Sequence, residues 1–261
     1  MIRTTDYGLL TTDLGIVILA AGKGTRLNCI DRPKVMLEIG GKPIVSYIVE
    51  TLESMGFPPE RIVLVVGFHQ EKVREYFGNR VTYAVQEEQL GTSHAVGTAE
   101  GVLKNKVKDC IVLYGDMPLI TAESIHRLIA YHREQDNTVT LMTVSVPDFE
   151  GDRAPFKSFG RIVRRSNDRQ IEKIVEQKDC NAEELGILEV NPFYICFRAS
   201  WLWEHVKNIS NKNAQKEYYL NDLVRMAIES GENISSILID PKEAIGVNTK
   251  EDLEAVNHYG K

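Results

Sequence analysis

The sequence predicts an α/β protein whose central sheet is mostly parallel and carries helices on both faces. Three observations favour this class. Residues 15–21 form a continuous apolar run, which is typical of a strand buried on both faces of a sheet. Strand-like and helix-like runs alternate through residue 146, and that order predicts parallel strands joined by helices. Proline or glycine stands at several boundaries between these runs.

The first half of the chain predicts parallel strands whose following loops share one edge of the sheet. Pro43 and Gly56 bracket the first predicted helix, and Thr121 supplies an N-cap for the last one. Such sheets bind ligands beyond the carboxyl ends of their strands, so we expect the loops after Ala21, Val85 and Tyr114 to meet. The expected strands are 15–21, 61–67, 81–85, 110–114 and 137–146, and the expected helices are 44–55, 70–77, 93–103 and 121–134.

The second half has a different pattern, with a turn typical of an antiparallel hairpin. Ser166-Asn167-Asp168 separates two strand-like runs, and no linker, repeat or low-complexity run divides the two halves. We therefore expect a flexible leader at 1–14 and one continuous domain at 15–261 with a smaller, lid-like second lobe. The expected elements are strands at 160–165, 170–176 and 234–239, an extended segment at 186–198, and helices at 200–206, 217–230 and 249–256.

Composition and charge limit the class of partner. The chain has 261 residues, 43% hydrophobic and 26% charged, enough for one large α/β domain or two small ones. Its longest apolar run, 15–22, is far shorter than the roughly 20 residues of a membrane helix, and no signal peptide is evident. Four cysteines without a CxxC pair indicate a reducing, cytoplasmic location. A net charge of −6 argues against a nucleic-acid surface, so we expect small-molecule partners, with monomer and dimer both open.

A glycine-rich loop follows the first strand. Its sequence is Leu19-Ala20-Ala21-Gly22-Lys23-Gly24-Thr25-Arg26-Leu27, and Pro33-Lys34 comes shortly after. Small residues let backbone N–H groups approach a phosphate, while Lys23, Arg26 and Lys34 supply positive charge. The spacing matches neither a P-loop nor GxGxxG. The alternative interpretation is an ordinary strand-to-helix turn that is rich in glycine.

A polar loop, Gln86-Glu87-Glu88-Gln89-Leu90-Gly91-Thr92, follows the third strand. The Gln86 amide can recognise the edge of a pyrimidine through one donor and one acceptor. Gly91 allows close approach of the backbone, and Thr92 adds a hydroxyl. The alternative is a polar loop with a helix cap at Thr92. We interpret His94, just inside the next helix, as a packed or exposed helix residue rather than a catalyst.

An aspartate follows the fourth strand, in the run Tyr114-Gly115-Asp116-Met117-Pro118-Leu119. A carboxylate at the end of a buried strand is costly unless it serves a ligand or a metal. A lone carboxylate suits Mg²⁺, which keeps several waters and takes phosphate oxygens. The alternative is a helix-capping Asp, although Thr121 already fills that role.

Together these motifs resemble the sugar-nucleotide pyrophosphorylases. The glycine-rich loop with Pro33-Lys34 is similar to that family's signature, and Gln-x-x-Gln-x-Gly-Thr to its uracil-binding run. Over residues 14–256 the chain is most similar to the uridylyltransferase domain of the bifunctional uridylyltransferase/acetyltransferase that makes UDP-N-acetylglucosamine. The resemblance implies a Rossmann-like nucleotide-diphospho-sugar transferase fold. Its parts would be a nucleotide-binding part at about 15–146, a sugar-binding lobe at about 147–248 and a C-terminal helix at 249–261.

The resemblance also implies roles for individual residues. Arg26 and Lys34 would be catalytic and contact the triphosphate and the attacking phosphate. Asp116 and Asn248, the latter in Gly246-Val247-Asn248, would bind Mg²⁺. Glu176 and Asn191, taken alone, would be ordinary polar residues at strand ends. The implied nucleotide-binding residues are Leu19, Ala20, Ala21, Gly22, Lys23, Gly24, Gln86, Gly91 and Thr92, and the implied sugar-binding residues are Tyr114, Gly115, Gly160, Glu176 and Asn191.

The chain departs from the family pattern at several places. Pro192-Phe193 stands where the family usually has Thr-Gly after the Asn, and a bulky Phe there can reshape the sugar pocket. Residues 148–158 form a longer loop than usual. The run 213–222 resembles Asn-Ala-Gln-Gly-Glu-Tyr-Tyr-Leu-Thr-Asp, and we interpret it as a mainly structural helix start whose Tyr residues pack beside the pocket. The family's carboxy-terminal β-helix is missing, so we expect no acetyltransferase activity.

The sequence thus predicts a Mg²⁺-dependent nucleotidyltransferase that joins a nucleoside triphosphate to a sugar 1-phosphate and releases pyrophosphate. UTP and N-acetylglucosamine 1-phosphate are the expected substrates. Two alternatives stay open. One is a uridylyl-, thymidylyl- or cytidylyltransferase for another hexose 1-phosphate or a phosphorylated alcohol. The other is a non-catalytic sensor of nucleotide sugars, which would lose the positive charges or the metal pair.

Overall fold

Most strands of the protein belong to one mixed sheet. The computed structural model describes residues 11–24, 27, 29–211 and 216–259. Ten of its strands form the sheet in the order β5-β4-β1-β6-β11-β7-β10-β8-β9, with β12 paired to β7, and β2 and β3 form a separate short hairpin. The strands are β1 (Leu14–Leu19), β2 (Glu38–Ile39), β3 (Lys42–Pro43), β4 (Ile62–Val66), β5 (Thr82–Val85), β6 (Asp109–Tyr114), β7 (Val139–Ser145), β8 (Gly160–Arg164), β9 (Ile171–Val175), β10 (Glu189–Asn191), β11 (Ile195–Arg198) and β12 (Ile234–Leu238).

Helices cover both faces of this sheet. Those described are α1 (Ile44–Ser54), α2 (Gln70–Phe77), α3 (Thr92–Thr98), α4 (Glu100–Leu103), α5 (Ala122–Glu134), α6 (Ala182–Leu185), α7 (Ala199–His205), α8 (Leu220–Glu229) and α9 (Lys250–Tyr259). Apolar residues of α1, α2 and α5 pack in one core, and those of α3, α4, α7 and α8 pack in another. None of the described helices is long and apolar enough to cross a membrane.

The half of the sheet formed by β5, β4, β1 and β6 is parallel, as predicted. Strand β1 pairs in parallel with β4 and β6, and β4 pairs in parallel with β5. Successive side chains of a strand point to opposite faces, so Ile16 and Ile18 enter one core while Val17 enters the other. All three are fully buried, which explains why the strand is a continuous apolar run. The predicted α/β class, with a mostly parallel sheet and helices on both faces, is confirmed.

The other half is mainly antiparallel, although β12 pairs in parallel with β7. Strands β8 and β9 form the hairpin that the Ser166-Asn167-Asp168 turn predicted, and β10 lies between β7 and β8. The extended segment expected at 186–198 is divided into β10 and β11. The division falls at Phe193, whose φ of +66° is incompatible with a strand.

Two predicted helices have different bounds. The helix expected at 93–103 is broken at Ala99 into α3 and α4. The helix expected at 217–230 begins only at Leu220. Before it, Tyr218 pairs with the polar loop instead: its N–H donates to the Leu90 carbonyl at 2.8 Å, and its carbonyl accepts from the Ser93 N–H at 2.9 Å.

The predicted leader overlaps the first strand, and the four cysteines form no disulfide. Most of the predicted 1–14 leader lies outside the described residues, but Leu14 is fully buried as the first residue of β1. All four cysteines are free thiols, and Cys110 and Cys196 are buried in the core. The cytoplasmic location inferred from them stays a prediction.

Candidate active site

A cleft of about 280 Å³ lies beyond the carboxyl ends of β1, β5 and β6. It is therefore at the edge where parallel sheets bind ligands. The loops after the first, third and fourth predicted strands do meet here. The residues that line it are Leu19, Ala21, Gly22, Lys34, Val35, Gln86, Gln89, Gly91, Thr92, Ala95, Tyr114, Asp116 and Glu217.

At the floor of the cleft, the Lys34 ammonium group lies between two oxygen ligands. It donates hydrogen bonds to Asp116 Oδ2 and, at 2.9 Å, to Asn248 Oδ1. The Lys34 and Asp116 side chains are only 17% and 14% exposed, so their charges are poorly screened by water. Two residues more than 80 positions from Lys34 therefore converge on one positive charge.

The backbone around these residues is fixed independently of their side chains. Lys34 opens a 3₁₀ turn (Lys34–Met36) directly after Pro33. The carbonyl of Asp116 accepts from the Val247 N–H at 2.9 Å, which places Asn248 beside Asp116. At the start of α9, Asp252 accepts from the Asn248 N–H at 2.8 Å. The two oxygen ligands are thus held in place by main-chain contacts.

The glycine-rich loop runs along one side of the cleft. Gly24 has a φ of +67°, and a Cβ added to it would lie 2.7 Å from Lys34 Cβ, so only glycine fits against the lysine stem. Ala20 and Ala21 are buried, whereas Gly22 and Lys23 are exposed. Lys23 borders an adjoining cavity beside the polar loop rather than the cleft itself. Arg26, the other predicted catalytic cation, lies outside the described residues.

The polar loop forms the opposite side. Gln86 is 5% exposed, and its Nε2 donates to the Gly91 carbonyl at 3.0 Å and faces His94 Nδ1 at 3.1 Å. The amide oxygen of Gln86 is therefore the group left for a ligand. His94 was interpreted as a helix residue without a site role, but it helps to orient this amide.

Gly91 and Thr92 contact the segment that leads into α8. Gly91 has a φ of +115°, and a Cβ there would lie 2.6 Å from the backbone N and O of Tyr218. Thr92 Oγ1 accepts from the Leu220 N–H at 2.9 Å. The glycine predicted to admit a ligand thus admits the Tyr218 backbone.

Tyr114 and Glu176, both predicted to bind the sugar, have pKa values shifted by burial. Burial is the main cause that raises the pKa of Tyr114, with the charges of Asp116 and Glu176 adding to it. Burial likewise raises the pKa of Glu176, and a hydrogen bond from Asn221 opposes that rise. Gly115, just after β6, donates its N–H to the Leu19 carbonyl at 2.9 Å.

Three predicted sugar-binding residues, Gly160, Glu176 and Asn191, meet around Asn221, which was not predicted to belong to the site. Gly160 is opposite Asn191 in the β8–β10 ladder, and a Cβ on Gly160 would lie 3.7 Å from Asn221 Nδ2. Asn221 also hydrogen-bonds both Asn191 and Glu176. The sequence prediction had placed Asn221 in a mainly structural helix start, without a role in the site.

A larger cavity, about 520 Å³, lies at the opposite end of the sheet around the start of β6. Each of its cations faces an acid at hydrogen-bond distance. The pairs are Lys108–Asp13 at 2.7 Å, Arg133–Asp109 at 2.9 Å and Arg198–Asp136 at 2.7 Å. Its charges therefore cancel locally, which disfavours it as a site for a triphosphate.

The described residues contain no group of three or more His, Cys, Asp or Glu side chains that could hold a metal ion. Any metal at Asp116 and Asn248 would accordingly take its other ligands from water and substrate. This arrangement is typical of Mg²⁺, which binds through one or two protein oxygens plus phosphates.

Comparison with known proteins gives the family. The model of the MobA-like NTP transferase domain matches residues 16–218. The bifunctional protein GlmU from Acetivibrio thermocellus is 42% identical over 238 residues, which cover 91% of this chain and 49% of that protein. GlmU from Brevibacillus brevis is 40% identical over 246 residues, covering 94% and 51%. The chain spans about half the length of these curated relatives.

Solved structures share the fold. A protein from Bacillus anthracis assigned as a glucose-1-phosphate thymidylyltransferase superposes with a TM-score of 0.75 at 20% identity and covers 94% of each chain. A UDP-glucose pyrophosphorylase superposes with a TM-score of 0.72 at 17% identity, covering 94% of this chain and 98% of its own. The predicted fold and the predicted enzyme class, a nucleotidyltransferase, are both confirmed: the chain belongs to the MobA-like NTP transferase family.

Proposed function

We propose that this chain transfers the uridylyl group of UTP to N-acetylglucosamine 1-phosphate, forming UDP-N-acetylglucosamine and pyrophosphate. One observation carries the proposal: the Lys34 ammonium group lies between Asp116 and Asn248 in the cleft that Gln86 also lines. Positive charge, two oxygen ligands and an amide suited to a base thus share one small volume. The likeness to GlmU over nearly the whole chain supports the choice of substrates.

The reaction needs positioning and charge neutralisation more than proton transfer. An oxygen of the sugar phosphate attacks the α-phosphorus of UTP, the bond from that phosphorus to the bridging oxygen breaks, and pyrophosphate leaves with the electron pair. The attacking oxygen is already anionic, so no side-chain base is required. Lys34 would hold the attacking phosphate and the α-phosphate together, which lowers the repulsion between two anions. Arg26, and Lys23 at the rim, would neutralise the leaving pyrophosphate.

The residues of the cleft floor fit a magnesium ion. Asp116 and Asn248 offer a carboxylate and an amide oxygen, and both already face a single cation, the Lys34 ammonium. Hard oxygen ligands of this kind are the ones that Mg²⁺ prefers. When bound there, Mg²⁺ would supply positive charge to the phosphate oxygens.

The Gln86 amide supports a uracil base. Its nitrogen contacts Gly91 and His94, so its oxygen would serve a base as an acceptor. Uracil and thymine carry an N–H at position 3 that complements an acceptor, whereas the same position of cytosine is itself an acceptor. This polarity favours UTP or a thymidine triphosphate over CTP.

A second candidate substrate, another hexose 1-phosphate, follows from Phe193. Its ring packs against Tyr114 with centroids 5.6 Å apart, at the place where the resembling family has glycine. An aromatic side chain there narrows the space for a substituent on the sugar. We retain N-acetylglucosamine 1-phosphate as the proposed substrate because Glu176 and Gly160 adjoin the same region.

A pyrophosphate-release screen tests the proposal. Four nucleoside triphosphates are crossed with N-acetylglucosamine, glucosamine, glucose and galactose 1-phosphates, each with and without Mg²⁺. We expect release only with Mg²⁺ and fastest with UTP and N-acetylglucosamine 1-phosphate. Release with another sugar supports the second candidate. Tight binding of a nucleotide sugar without any release contradicts the enzyme and supports a sensor.

A further inference from the structure

A partly buried chain of hydrogen bonds connects four residues on the side of the cleft proposed to hold the sugar. Asn221 Nδ2 donates to Glu176 Oε1. Asn191 Nδ2 donates to Asn221 Oδ1 at 2.9 Å, and Asn191 Oδ1 accepts from the Phe193 N–H at 2.9 Å. The chain therefore joins the end of β9, the end of β10 and the first turn of α8.

Within this chain, Asn191 is committed to the protein. Its side chain is 0% exposed, its amide nitrogen serves Asn221 and its amide oxygen serves the backbone of Phe193. The latter contact stabilises Phe193 at a φ of +66°, a conformation that residues other than glycine rarely adopt. Asn191 thus orients its neighbours through one N–H and one lone pair of its amide.

Asn221 orients the carboxylate of Glu176. It is 8% exposed and holds Oε1 of Glu176, while among the described residues none donates a hydrogen bond to Oε2. Glu176 lies close enough to the cleft for its charge to act on Tyr114. One oxygen of Glu176 is therefore fixed by the protein, and the other is left for a donor on the sugar.

We infer that Asn221 is a positioning residue that determines sugar binding: it aims the free oxygen of Glu176 at a donor group of the hexose, and Asn191 holds Asn221 in place. The inference rests on the proposed sugar-phosphate substrate. It adds support of the Asn221 side chain to the sugar contact predicted for Asn191. The substrate class is a hexose 1-phosphate that offers an N–H or O–H group to Glu176.

The groups around Glu176 determine how the effect of a substitution at Asn221 on sugar binding depends on pH. Burial raises the pKa of Glu176, the acids Asp179 and Asp222 raise it further, and the Asn221 N–H lowers it. The charged and titratable groups that face or are influenced by Glu176 are Lys178, Asp179 and Cys180 from its own loop, Tyr219 and Asp222 from the start of α8, and Tyr114 from β6.

The substitution Asn221→Asp isolates the contact. It keeps the size of the side chain and the acceptor for Asn191, and an acid in the first turn of a helix is favourable, so the protein should fold. It removes only the donor to Glu176 and places a second carboxylate beside it. Two adjacent carboxylates share a proton at a strongly raised pKa. Lowering the pH therefore restores a donor between them.

We would measure the dissociation constants of UDP-N-acetylglucosamine and of UDP by titration calorimetry at pH 8 and pH 6. For Asn221→Asp we expect the sugar nucleotide to bind about tenfold more weakly than to the unchanged protein at pH 8, the scale of one lost hydrogen bond to a charged group. At pH 6 the loss should shrink to about threefold, while UDP stays within about twofold throughout. Asn221→Ala should weaken the sugar nucleotide at both pH values, with no recovery at pH 6.

Several outcomes overturn the inference. These are unchanged binding of the sugar nucleotide by Asn221→Asp, an equal loss at both pH values, or an equal loss for UDP. The first excludes a role for Asn221, and the others indicate a general structural effect. Failure of the proposed function is a separate result, because it would show as absence of pyrophosphate release by the unchanged protein.

Discussion

The two ends of the cleft are built in different ways. At the nucleotide end (Lys34, Gln86, Asp116 and Asn248), hydrogen bonds of the main chain hold the backbone that carries each side chain. At the sugar end (Glu176, Asn191 and Asn221), side-chain amides hold one another between a hairpin, a short strand and a helix. The first arrangement tolerates loss of a neighbour, whereas the second is a network whose members depend on each other.

The largest effect should come from the charges of the nucleotide end. We expect Lys34→Ala or Asp116→Ala to lower kcat for pyrophosphate release by at least about 10²-fold, the usual scale for one electrostatic contact in a transition state. The matched control is Lys42→Ala, since Lys42 is 49% exposed and pairs with Glu50 on the surface. Near-normal turnover in either variant would refute the assignment of these residues.

How well the nucleotide end could be predicted from the sequence depends on how far apart its residues lie along the chain. The loops after β1, β5 and β6 were expected to meet because parallel strands present their ends at one edge, and they do. Asn248 came only from the resemblance, since nothing local ties it to a residue 214 positions away. The β2–β3 hairpin was missed because two-residue strands are too short to show a period of two.

The sugar end could be predicted less well. The hairpin of β8 and β9 followed from its turn residues, which act locally. The role of Asn221 depends on partners 30 and 45 residues away, and a helix start at 217–230 gave no sign of them. The segment before α8 forms hydrogen bonds with the polar loop and the start of α3, so tertiary contacts override its local helix preference.

Gly91 is where the two ends touch, so Gly91→Ala tests whether they are independent. A Cβ would lie 2.6 Å from the Tyr218 backbone and would displace the segment that leads into α8. We expect KM to rise about tenfold for both UTP and the sugar phosphate, about 1.4 kcal/mol each. Gly97→Ala, in the helix that begins directly after Gly91 and with the nearest side-chain atom 3.8 Å from its Cβ, should leave both unchanged. A rise in one KM alone would show that the ends are not joined through Gly91.

A smaller effect is expected at the base. Gln86→Ala removes one acceptor for the base, so the preference for UTP over CTP in kcat/KM should fall about fivefold, close to 1 kcal/mol for one hydrogen bond. The maximal rate should change less than the preference. Gln70→Ala, whose amide accepts from Arg74 on the surface, is the control. If the preference survives in Gln86→Ala, Gln86 does not recognise the base.

The smallest effect concerns the cation between Asp116 and Asn248. Because the Lys34 ammonium group occupies the space between these oxygens, it competes with a divalent ion for them. In Lys34→Met the competitor is gone while the length of the side chain is kept, so the two oxygens are left facing each other without a positive charge. We therefore expect Mn²⁺, titrated without nucleotide and followed by electron paramagnetic resonance, to bind about threefold more tightly. Lys42→Met should not change the affinity. Weaker Mn²⁺ binding by Lys34→Met would mean that the lysine organises the ligands instead of excluding the ion, and the nucleotide end would then be a mutually dependent network like the sugar end.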